Sequence, residues 1–136
     1  MSRPILIGYQ LLIGFSDAIT GALLIIAPVF ALGLMRLRAP ADALPFVSFI
    51  GAFVLSVGLA CLYGAFAIAR RRSQCKLQVV WLLTAMTRAS VAIFVVTQIL
   101  THTLDAGWFT VAVTDGVCVL FQAIGLRKGW LSYVAW

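Results

Sequence analysis

Three ionisable residues stand where ionisable residues are costly. Arg88 lies at the middle of an apolar run, Leu77 to Leu100, and Asp115 and Asp17 each lie alone in apolar runs of their own. In a bilayer, a guanidinium at that depth costs ~2.5–3.5 kcal/mol on insertion scales, so it must face protein or trapped water and meet an anion. Depth selects the anion. Arg88 is about twelve residues from the outer end of its run, Asp115 about eight and Asp17 about ten, so at ~1.5 Å per residue their levels differ by roughly 6 Å or less. An Arg88–Asp115 pair is the first expectation, because the third and fourth runs are joined by a tight turn and must be neighbours. Asp17 is then a second acceptor, or is carried protonated. Two acids and one base at one level leave three roles open: a packing and register device, a ligand contact, or a path for protons or ions.

Other chemistries find little support. Glutamate is absent and His102 is the single histidine, placed in a turn; the cysteines Cys61, Cys75 and Cys118 are scattered, so no metal site is expected. No nucleophile and base can be assembled without His102, so no catalytic residues are assigned. The cysteines show no paired spacing either, and Cys61 and Cys118 read as small apolar packing.

The elements that must position these residues are helices. Hydrophobic residues make up 63% of the 136-residue chain and charged residues 10%, with a mean hydropathy of +1.09; a soluble domain carries about a quarter charged residues. Four runs reach the ~20 residues needed to cross a bilayer: 4–27, 45–69, 77–100 and 107–126, followed by a tail, 127–136. The expectation is an all-α, single membrane domain, a four-transmembrane-helix bundle running up-down-up-down. Pro28 bends or ends the first run, Val29 to Leu34 continue it near the interface, and Pro45 suits the first turn of the second. The apolar stretch Ile5 to Leu34 is too long for a cleaved signal core of ~7–15 residues, so the first span is expected to be retained.

Charge placement gives orientation. Arg3, Arg70, Arg71, Arg72, Lys76, Arg127 and Lys128 fall on one side and Arg36 and Arg38 on the other, which predicts both termini cytoplasmic. Basic residues set between apolar runs meet lipid phosphates rather than nucleic acid, so membrane lipids are the expected partners and nucleic acid is not. In the tail, Trp130, Tyr133 and Trp136 recur every third residue beside Arg127 and Lys128, predicting a short interfacial helix.

Polar and small residues share one side of each run. The Arg88 face carries Trp81, Thr84, Ala85, Ala92 and Val95, and the Asp115 face Trp108, Val111, Cys118 and Gln122. The Asp17 face carries Gln10, Gly14, Thr20, Gly21 and Leu24. The second run is uncharged but places Gly51 and Gly58 on one face, near Ser48 and Ala65, where a neighbouring backbone can approach closely. The candidate ligand-binding residues are therefore Arg88, Asp115, Asp17, Gln10, Trp81, Trp108 and Gln122, residue types that suit a quinone-like headgroup.

The layout resembles the DoxX-like group of small four-helix membrane proteins. The likeness lies in a first helix bearing Gly, Ser and Asp, in "FIGAFVLSVGLACLYGAF" in the second, in "LLTAMTRAS" with Arg88 and in "VAVTDGVC" with Asp115. The resemblance implies a compact bundle with a polar intramembrane pocket, and an accessory subunit of a redox complex, since the group's namesake is associated with a quinol-oxidising complex. The expected role is a non-catalytic protein of the bacterial cytoplasmic membrane that works by association. It would join other membrane subunits or its own copies, or hold a quinone or lipid near Arg88. The competing expectation is a small proton-coupled transporter in which Asp17 and Asp115 titrate around Arg88. Against it, there is no internal repeat and no paired mid-membrane break.

Overall fold

The computed structural model describes residues 2–70 and 74–132, and every described element is helical. Arg71 and Arg72 of the basic loop, and Tyr133 and Trp136 of the tail, lie outside the described residues. Four helical stretches are long and apolar enough to cross a membrane. Their outward side chains are large and apolar: Ile26 is 81% exposed, and Leu12 and Phe46 are each 71% exposed. Apolar exposure on this scale suits hydrocarbon and not water. The chain is a multi-pass membrane protein.

Contacts divide the chain into two compact units, Ser2–Arg70 and the stretch from Arg71 onward. In the first, α1 (Arg3–Ile26) begins with Pro4 in its first turn and stops before Pro28. Ala27 sits at φ −141°, ψ 65°, as the steric conflict with the following proline ring requires. Pro28 then opens a separate helix, α2 (Pro28–Leu34). A 3₁₀ turn at Ala41–Ala43 leads into α3 (Leu44–Ala69), again with proline in the first turn.

The α1–α3 contact is made by backbone. A Cβ on Gly21 would overlap the Leu55 backbone and the Gly51 carbonyl oxygen, and one on Gly58 would overlap the Ala18 backbone. At Gly14 it would come within 2.9 Å of Leu62 Cγ, and at Gly51 within 2.8 Å of Leu24 Cβ. Gly14 and Gly21 on α1 thus interlock with Gly58 and Gly51 on α3 in antiparallel register, the close approach that small residues permit in membranes. At one end of this pair Arg3 donates from Nε to the Ile68 carbonyl (3.2 Å) and from Nη2 to the Ala69 carbonyl (2.5 Å). A cation there satisfies two carbonyls that the end of α3 leaves without helical partners.

The second unit holds α4 (Gln74–Leu100), a 3₁₀ turn at Ala106–Trp108 and α5 (Phe109–Arg127). Three helix ends share one chemistry. After α2, Leu37 N–H donates to Leu32 and Arg36 N–H to Gly33; after α4, Thr103 N–H donates to Gln98 and His102 N–H to Ile99; after α5, Trp130 N–H donates to Gly125 and Gly129 N–H to Leu126. Each is the paired 6→1 and 5→2 arrangement that ends a helix on a left-handed residue. Only one of those residues is glycine; the other two are Arg36 (φ 57°) and His102 (φ 58°).

Of the tail's expected interfacial helix, Tyr133 and Trp136 lie outside the described residues, and a turn precedes it. Gly129 (φ 63°) turns the chain, Trp130 packs edge-on against Phe121 at 5.3 Å, and Leu131 is buried. The turn, not a continuing helix, sets where the Trp130 ring lies.

Candidate functional site

On α4 the buried positions Leu77, Trp81, Thr84, Arg88 and Val95 recur at spacings of three, four and seven, so they form one stripe. On α5 the stripe is Ala112, Cys118, Gln122 and Gly125, with half-buried Asp115 in line. The two stripes meet in antiparallel register. Arg88 Nη1 donates to Asp115 Oδ1 at 2.5 Å, with the side chains 5% and 14% exposed. One turn from Arg88 along α4 and two from Asp115 along α5, Gln122 Nε2 donates to Thr84 Oγ1 at 2.9 Å. Thr84 in turn donates back to the Val80 carbonyl at 2.8 Å. One turn further, the Trp81 indole lies against Gly125, where a Cβ would meet both Trp81 and Trp130. Phe121 completes this end, its ring 6.1 Å from Trp81.

The seam is therefore a ladder of graded polarity: an ion pair, then a neutral hydrogen bond, then an aromatic cluster. Each rung depends on packing. Without a side chain at Gly125, the indole can sit over the α5 backbone, and that fixes the height at which Thr84 faces Gln122. On this ladder the Gln122 carbonyl oxygen Oε1 is buried and finds no hydrogen-bond donor among the described residues. A buried acceptor without a donor costs about 1–3 kcal/mol.

Three further candidates remain. Trp108 is half-exposed in the 3₁₀ turn at the head of α5, two turns or ~10 Å along the helix from Asp115. Gln10 and Asp17 belong to α1 in the first unit. Asp17 sits between Gly14 and Gly21 along the chain, half-buried. Gln10 is fully buried, and neither end of its carboxamide has a hydrogen-bond partner among the described residues. The sequence placed Thr84 and Gln122 on the correct faces but did not pair them. Cys61 and Cys118 are buried and Cys75 is exposed.

Comparison with protein-family models, curated proteins and solved structures found no match for this chain. The DoxX-like likeness thus rests on the sequence features alone.

Proposed function

We propose that this membrane protein holds an amphipathic ligand, of the quinol or hydroxyl-bearing lipid class, against the α4–α5 seam, and does so as a non-catalytic accessory subunit of a larger membrane complex. The observation that carries this reading is the buried Gln122 Oε1. It is an acceptor in want of a donor, and its partner Thr84 lies one turn (~6 Å) along α4 from Arg88, whose guanidinium can donate to a ligand carbonyl. A quinol offers both complements, a hydroxyl for Gln122 and a second oxygen toward Arg88, and Trp81 and Phe121 flank the position with ring surface. The DoxX-like resemblance supports the same assignment. Small size supports a partner, since a 136-residue chain has little interior for both a core and a substrate path.

Gln122→Leu tests the assignment. Protein purified from native membranes in mild detergent should carry a quinol or hydroxyl-lipid and partner subunits, identified by mass spectrometry of the extract. Gln122→Leu should lose the small molecule while keeping the fold, because it removes an unsatisfied buried acceptor and forfeits only the Gln122–Thr84 hydrogen bond, about 0.5–1.5 kcal/mol, with Thr84 still bonded to the Val80 carbonyl. Equal ligand content in the variant, or wild-type protein that runs alone and empty, overturns the proposal.

A further inference from the structure

The end of the first unit opposite the Arg3 clamp carries a feature unrelated to the Arg88 seam. A cavity of about 300 Å³ opens beside α2, lined by Val29, Leu32, Gly33, Leu37 and Leu44, with Arg38 on its lining. Its volume lies at the small end of the ~300–1,000 Å³ that ligand sites occupy. The fold builds it deliberately from local parts. Pro28 restarts the helix; the left-handed Arg36 ends it; and the reversal buries Leu37 (5% exposed) beside Leu32 (2% exposed) as a floor. The next residue, Arg38, is exposed and pairs with no acidic side chain among the described residues.

We propose that this groove holds an anionic phospholipid, with its phosphate on Arg38 and the first part of an acyl chain along Val29, Leu32, Leu37 and Leu44. Charge and shape both select that occupant. The guanidinium is left for an anion, and it has the planar donor fork that grips phosphate oxygens. Behind it the wall is apolar, which a free inorganic anion would not use and a lipid tail would. The place is also right: the segment links the end of one membrane-crossing helix to the start of the next, at the level where headgroup phosphates lie.

Native mass spectrometry of the protein released from phosphatidylglycerol or phosphatidylcholine nanodiscs reads the site directly. The wild type should retain phosphatidylglycerol in preference to phosphatidylcholine. Arg38→Gln should lower phosphatidylglycerol retention about fivefold, the share of one surface cation, whereas Arg36→Gln, which removes the same charge two residues away and off the lining, should not. Gly33→Phe should abolish retention of both lipids, because Gly33 lines the groove and a Cβ there meets no atom within 4 Å, which leaves room for a ring to occupy the lipid's place. Equal loss in Arg36→Gln and Arg38→Gln would reduce the effect to diffuse surface charge and overturn the proposal. So would unchanged retention in Gly33→Phe, or displacement of the lipid by inorganic phosphate alone. Gln122→Leu should leave this lipid bound, so the two sites succeed or fail separately.

Discussion

Removing one member of the Arg88–Asp115 pair should harm the fold more than removing both. Arg88 is 5% exposed and Asp115 14%, and one short bond joins them. Asp115→Leu leaves a nearly enclosed guanidinium without that carboxylate, and breaking a buried pair in this way costs about 3–5 kcal/mol. Arg88→Leu strands the carboxylate instead; being somewhat more exposed, it should fall near the lower end, about 3 kcal/mol. The double variant Arg88→Leu/Asp115→Leu removes both desolvated charges and puts leucine into a seam already lined by Leu77 and Val95, so it should lie within about 1–2 kcal/mol of wild type. The coupling, the two single losses less the double loss, is then about 4–7 kcal/mol, above the ~0.5–3 kcal/mol usual for contacting residues because each single change also strands a buried charge. Reversible unfolding in mixed lipid–detergent micelles, followed by the fluorescence of Trp81 and its neighbours, supplies the four stabilities. Additive losses would refute the argument, since they would mean that each side chain is held by something other than its partner.

Two further predictions concern the backbone. Gly58→Ala and Gly21→Ala should each destabilise the α1–α3 unit by about 1–3 kcal/mol, because even a methyl meets backbone there; Gly8→Ala and Gly116→Ala, whose Cβ positions are open, should be neutral or stabilising by up to ~1 kcal/mol. The same unfolding assay ranks all four, and an equal response would remove the interlock as the cause. His102→Gly should raise stability by about 1 kcal/mol, since an L-residue pays ~1–2 kcal/mol for the left-handed conformation that glycine adopts freely; Gly129→Ala should lose a similar amount, and opposite signs in the melting shifts are the outcome to look for.

How much of this could be read from residues alone follows the cost of leaving each residue unpaired. Arg88 was legible because a charge in hydrocarbon demands a partner, and depth along the helices left few. Thr84 and Gln122 were legible as members of the correct faces and no further, since a neutral polar group tolerates several partners and spacing does not choose among them. Gly51 and Gly58 announced a close approach, but their counterparts Gly21 and Gly14 became identifiable only once α1 and α3 were in register. Pro28 announced a break; the restart as α2 was hidden because seven residues carry no usable periodicity. In the tail, Gly129 turns the chain after α5, and of the three aromatics that predicted an interfacial helix only Trp130 lies among the described residues. Arg36 and His102 gave no signal, because neither side chain marks a left-handed site.

The two units meet the same physical problem in different ways. In hydrocarbon, burying apolar surface between helices gains little, since lipid tails are as apolar as leucine; packing and hydrogen bonds must hold the pairs together. The α1–α3 pair relies on proximity: four glycines bring two backbones together, and Arg3 clamps the Ile68 and Ala69 carbonyls at its end. The α4–α5 pair relies on polarity, with an ion pair and a Gln–Thr bond inside the seam. These choices differ in what they leave over. At the glycines themselves the interlock leaves no side chain with which to do anything else. A polar seam can be satisfied in part by its own helices and in part by a guest, and Gln122, bonded through its nitrogen and not through its oxygen, is the position where that division is visible.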